Sequence, residues 1–151
     1  HDRAESVNAV KDRKIDAFFW VGGLPTAAVT DLANSPGMKI VMIDNAAEVA
    51  AMNKKYGNLY FATNIPKETY SGMGKDNKVA GVANILVVNA NMPDDEAYKI
   101  VKAVFDNKLE LVRTHKEYIN VTLENQKQSS TPIAYHPGAA KYFKEKNVKL
   151  N

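Results

Sequence analysis

Apolar residues fall along this chain in two rhythms. Ala4, Val7 and Val10 recur at helical spacing within residues 4–13 and predict a first helix. Residues 15–21, IDAFFWV, form a short apolar run between Lys14 and Gly22, the pattern of a buried strand. Pro25 suits the first turn of a helix, where a missing N–H costs nothing, and Ala28, Val29, Leu32 and Ala33 then make one apolar stripe. The NSPG stretch at 34–37 ends that helix in a turn. A strand over 38–44, a helix over 46–54 and a strand over LYFATNI at 59–65 follow. Residues 66–78, rich in Gly, Pro and polar side chains, read as a loop feeding the longest apolar run, 79–90, a strand covered on both faces. The clearest helix opens after Pro93. Asp94, Asp95 and Glu96 complement the positive end of its dipole, and Ala97, Ile100, Val101, Val104 and Phe105 line one face. Further helix is expected over 109–116, a surface loop over 125–132, and a last short helix from His136. Alternating strands and helices predict an α/β fold with a largely parallel sheet flanked by helices.

The break at FFWVGGLPTAAV, residues 18–29, raises the first chemical question. A strand that ends in Gly22-Gly23 and enters a helix beside Pro25 presents free backbone N–H groups at a helix N-terminus. Those groups and the dipole both favour an anion. Glycine lets a ligand approach the backbone, Thr26 adds a hydroxyl and Trp20 an aromatic wall. The same residues also suit a tight strand-to-helix turn with no ligand, and the pattern alone leaves both readings open. The spacing is neither G-x-G-x-x-G nor a phosphate-binding loop, which argues against a nucleotide.

Composition narrows the classes. The 151 residues are 45% hydrophobic and 25% charged, enough for a globular domain with a core. The net charge of +3 is spread thinly, with no basic block that would mark a nucleic-acid-binding tail. Most cations are lysines; only Arg3, Arg13 and Arg113 offer planar, two-pronged contacts. With no cysteine there is no disulfide, no thiolate metal site and no cysteine nucleophile. No apolar run is long enough to span a membrane. The opening HDRAESVNAVKDRKIDAFF carries no signal-peptide pattern and reads as the middle of a longer protein, with His1 as a vector-derived residue.

Other candidates are weak. His115 and His136 have no second histidine or acid at metal-ligand spacing and read as surface or structural histidines. Ser71, Ser129 and Ser130 lack a nucleophile-elbow context. Tyr56, Tyr60 and Phe61 read as core, whereas Tyr70 stands alone among Gly72, Gly74 and polar residues. That setting predicts a mobile rim over 66–78 with Tyr70 turned towards a ligand.

The segments DRKIDAFFWVGGLPTAAVTDLA, IPKETYSGM, VAGVANILVVNANMPDDEAYKIVKAVFDN and IAYHPGAAKYFKEKNV, in this order, resemble the C-terminal half of the TAXI-family solute receptors of TRAP transporters. The resemblance covers essentially the whole chain. It implies a periplasmic-binding-protein-like lobe, truncated relative to a receptor of two α/β lobes that close on a ligand. Residues 1–78 would supply most of one lobe, and 79–151 a hinge-crossing strand and helices returning to the other. It implies a periplasmic, non-enzymatic role: capture of a small organic anion, such as glutamate or a dicarboxylate, for delivery to membrane transporter subunits. Trp20, Gly22, Gly23, Leu24, Pro25, Thr26 and Tyr70 would line the cleft; no catalytic residue, metal or cofactor is implied. Two other classes stand beside this one. One is an α/β enzyme using the Gly22-Gly23 turn as an anion site; the other is a structural or antigenic fragment without a ligand. A half receptor would also expose strand edges and apolar faces and would tend to self-associate.

Overall fold

A computed structural model describes residues 3–127 and 131–150. His1, Ser129 and Ser130 lie outside the described residues. The elements run α1 (Arg3–Lys11), α2 (Ala27–Asn34), α3 (Val49–Tyr56), β1 (Tyr60–Ile65), β2 (Asn77–Val82), α4 (Asp94–Asp106), α5 (Lys108–Thr114) and α6 (Pro137–Glu145). Short 3-10 turns at Ala46–Glu48 and Lys116–Asn120 precede α3 and follow α5. The chain divides into two compact units, His1–Ala47 with Ala62–Ala80, and Glu48–Phe61 with Gly81–Asn151.

In the first unit α1 packs on α2. The stripe spacing places Val7, Val29 and Leu32 out of solvent, at 2%, 7% and 2% exposure. Helix α1 carries Glu5 in its first turn and Lys11 in its last, each matched to the dipole. Arg13 ends it in the left-handed region at φ 57°, while Lys14 N–H donates back to Ala9 O at 2.8 Å. Asp44 and Asn45 clip β2 in place. Asp44 Oδ1 accepts from Lys78 N–H at 3.0 Å and from the buried Asn77 side-chain amide. Asn45 Oδ1 accepts from Ala80 N–H at 2.8 Å.

The second unit is built on α4 against α6. Ala139, Tyr142 and Phe143 of α6 are buried, and Tyr98, Val101 and Phe105 of α4 pack on them. Phe105 lies 5.6 Å from the ring of Tyr142 and 5.7 Å from that of Phe143, offset and edge-on arrangements that suit aromatic quadrupoles. Asn147, at φ 59°, closes α6; Val148 N–H then reaches Phe143 O at 2.9 Å, and its side chain joins the core. Asn53, in α3, exchanges two hydrogen bonds of 3.0 Å with the backbone of Tyr60, which starts β1.

The α/β character holds, but the sheet among the described residues differs from the expected one. It has two strands, β1 and β2, paired antiparallel. The runs at 15–21 and 38–44 form no regular strand, and the run at 79–90 is a strand only as far as Val82. A strand exists only where a neighbour supplies a ladder. Without one, Phe19, Val21, Val41, Ile43, Leu86 and Val87 are all more than half exposed. Pro25 also falls outside the helix it was expected to open: Thr26 is the N-cap and α2 begins one residue later.

A Cβ placed on Gly138 would lie 2.0 Å from the carbonyl oxygen of Asp94 and 3.0 Å from the backbone nitrogen of Tyr98. Backbone cannot swing aside as a side chain can. Gly138→Ala should therefore cost about 1–3 kcal/mol or more by forcing α4 and α6 apart, read as a lowered midpoint in urea unfolding. An unchanged midpoint would show that this contact is slack.

Candidate functional site

Helix α2 begins where the glycine turn ends, and Thr26 is the hinge between them. Its backbone is extended, at φ −86° and ψ 121°, the ordinary N-cap conformation. Its side chain nevertheless makes no capping bond to its own helix. The hydroxyl instead donates to Gly23 O at 2.8 Å and accepts from the Trp20 indole Nε1–H at 2.9 Å. Thr26 N–H donates to Tyr70 Oη at 2.9 Å. Thr26 is 5% exposed and Tyr70 4%. Four of the seven candidate residues, Trp20, Gly23, Thr26 and Tyr70, are thus tied into one network. Gly22 belongs to it by packing, since a Cβ there would lie 2.7–2.9 Å from three atoms of the Trp20 ring. Leu24 is half-buried and Pro25 exposed, joined by a cis peptide bond.

Two consequences follow for binding. The N–H groups of Ala27, Ala28 and Val29 belong to the first turn and have no carbonyl partner within the helix. Thr26 does not cap them, and the first turn of α2 contains no acidic residue. By contrast, α4 brings Asp94, Asp95 and Glu96 to its own first turn. The first turn of α2 thus carries neither a Thr26 side-chain cap nor an acid, the condition in which a helix N-terminus favours an anionic group. Gly22, read from the sequence as room for a ligand, is occupied by the protein's own indole ring.

Tyr70 is not a free aromatic at the edge of a loop. Its phenol is a buried brace between the 66–76 connection and the start of α2. The same connection is held at its ends by Lys67 N–H on Asp76 Oδ1 at 2.9 Å and by Lys75 beside Asp44 at 3.3 Å. Hydrogen bonds from Lys78 N–H, Lys75 and Asn77, with the Lys75 charge, hold the Asp44 carboxyl below its ordinary value of 3.8.

Both histidines with described side chains prove to be capping residues. His115 Nδ1 accepts from Glu117 N–H at 3.2 Å, and His136 Nδ1 from Gly138 N–H at 3.2 Å. Among the described residues, no three His, Asp or Glu side chains cluster so as to hold a metal ion. No helix among them is long and apolar enough to cross a membrane. A shallow apolar groove lined by Leu59, Tyr60, Val82, Ala83, Ile85 and Pro132 shares no residue with the turn.

A model of the NMT1-like family matches residues 1–146. The chain belongs to the NMT1-like family. This family is periplasmic-binding-protein-like and related to solute receptors, which points to a substrate-binding role in general, with a small-molecule ligand. It is a family of binding proteins, typically extracellular or periplasmic.

Residues that the sequence did not single out complete the picture. Ala28, read from the sequence only as part of the apolar stripe, presents its N–H in the first turn of α2, a backbone feature that no side-chain pattern reports. Asp44 and Asn45 carry a signal that was present, an Asp-Asn pair closing an apolar run, where such side chains bond nearby backbone.

Tyr70→Phe should leave the buried Thr26 N–H without its acceptor and cost about 1–3 kcal/mol in urea unfolding. A midpoint within error of the parent would show that water or another group replaces the phenol at no cost. The lowered pKa of Asp44 sets a pH dependence. A carboxyl whose folded pKa lies below its unfolded value stabilises above the unfolded pKa and loses that contribution as pH falls through the folded one. Thermal stability should therefore drop on acidification below about pH 4, and less steeply in Asp44→Asn. Equal slopes in the two proteins would remove Asp44 from the explanation.

Proposed function

We propose that the protein is a solute receptor of the TAXI type serving a TRAP transporter. It binds a small organic anion, such as glutamate or a dicarboxylate, in the periplasm and passes it to membrane transporter subunits. The observation that carries this reading is the family match over residues 1–146. The start of α2, with neither a Thr26 side-chain cap nor an acid, supports it, because a carboxylate has the charge and acceptor geometry for those N–H groups. In this reading Trp20, Gly22, Gly23, Leu24, Pro25, Thr26 and Tyr70 form the ligand-facing turn and its brace. Residues 1–78 supply most of one lobe, and 79–151 a hinge-crossing strand and the helices that return to the other. The exposed apolar runs at 15–21, 38–44 and 83–89 become strands of a parallel sheet whose neighbours come from another segment of polypeptide.

Trp20 is the one tryptophan in the sequence, and its indole is bonded to Thr26, so its fluorescence reports directly on the turn. Titration with glutamate, succinate and malate should give a saturable change in emission for at least one of them. Gly23 is not among the glycines of positive φ, which are Gly37, Gly57 and Gly72, so its backbone does not itself demand glycine. Gly23→Val should keep the fold and weaken binding by about 2–5 kcal/mol, the worth of one or two charge-assisted hydrogen bonds. Silence towards all three acids, by fluorescence and by calorimetry, in a folded protein would overturn the reading.

The exposed apolar runs give a further expectation. In sizing experiments the isolated chain should elute larger than a monomer of 16.7 kDa, and increasingly so with concentration. A compact monomer at all concentrations would show that these runs do not seek partners.

A further inference from the structure

An N-cap threonine ordinarily turns its hydroxyl onto the second or third N–H of its own helix. Thr26 has the backbone angles for that bond and does not make it. Its hydroxyl is engaged twice elsewhere, as acceptor from Trp20 Nε1–H and as donor to Gly23 O. The indole can reach Thr26 because it folds back over residue 22, where any side chain would collide with Cζ2, Nε1 and Cε2 at 2.7–2.9 Å. We propose that Gly22 and Trp20 act as one positioning unit that holds the Thr26 hydroxyl out of the capping position and so keeps the first turn of α2 uncapped.

Gly22 is the seat, Trp20 the arm and Thr26 the group held. The glycine serves the fit of an indole against backbone, not the approach of a ligand to residue 22. Trp20→Phe keeps an aromatic ring and removes the N–H that engages Thr26. A rotation about one side-chain bond then lets the hydroxyl cap Ala28 or Val29. Gly22→Ala reaches the same end by lifting the indole off the turn. Both are positioning effects; neither residue needs to touch a ligand for them to occur. The consequence for binding rests on the function proposed above: a self-capped helix offers one fewer N–H to an anion.

Amide hydrogen exchange and the Thr26 side-chain couplings, measured by NMR on the whole chain without ligand, test this directly. In the parent, Thr26 should hold a single rotamer that does not cap α2. In Trp20→Phe that rotamer should change, and exchange at Ala28 or Val29 should slow by about fivefold, in line with an ordinary threonine cap. The slowing should vanish in Trp20→Phe/Thr26→Val, which lacks the hydroxyl. Gly22→Ala should shift Trp20 emission to longer wavelength and slow the same amides; in a Trp20→Ala background, with no ring to displace, it should add nothing. An unchanged Thr26 rotamer in both single variants, or slowing that persists without the hydroxyl, overturns the proposal. With glutamate as probe, both single variants should bind about fivefold more weakly, the same factor lost from one competing cap. If the parent binds none of glutamate, succinate and malate, the ligand reading fails while the exchange and emission results still decide this one.

Discussion

One buried hydrogen bond, from Thr26 N–H to the Tyr70 phenol, fixes where α2 begins. Forty-four residues separate the two partners, so the bond ties a distant loop to a turn that the local chain could not hold alone. Both partners are nearly out of solvent, where an unmade bond leaves a desolvated donor. The rest of the first unit is arranged around that constraint. The carboxyl of Asp44 and the amide of Asn45 hold β2 at the far end of the Tyr70 loop, and Trp20 reaches over Gly22 to the Thr26 hydroxyl. The result is a helix whose start is rigidly placed yet carries neither a side-chain cap nor an acid in its first turn.

The second unit solves a different problem by different means. Its stability lies in aromatic packing between α4 and α6. Helix α4 brings acids to its own first turn, while His136 caps α6 and Asn147 terminates it. Gly138 allows the backbones of α4 and α6 to meet closely. This unit has the character of a scaffold.

The helices were legible in the sequence because their signals are local. The stripe from Ala97 to Phe105 and the acids before it describe α4 closely, and Val29 and Leu32 mark the buried face of α2. The strand over 59–65 was legible too and is present as β1; the runs at 15–21, 38–44 and beyond Val82 were not, because apolar runs specify a demand for cover without specifying a neighbour. Leu86 and Val87 look like sheet core and remain exposed for want of a partner. Within the candidate site, Trp20, Thr26 and Tyr70 could be singled out by type and setting. Their roles could not: that the phenol braces Thr26, or that Gly22 accommodates an indole, depends on contacts between residues whose meeting no spacing rule encodes. His136 illustrates the same limit from the other side. Its place before Pro137 and Gly138 is an N-cap position, yet its burial against α4 follows only from the packing of two helices.

The central claim is that a small organic anion binds at the start of α2. The measurement that tests it most directly is a nitrogen-15-resolved NMR titration with glutamate, following every backbone amide. The largest saturable shifts should fall on Ala27, Ala28 and the Trp20 indole N–H, with the amides of α6 unmoved. Saturable shifts confined to other residues, with Ala27 and Ala28 unmoved, would place the ligand elsewhere and contradict the claim.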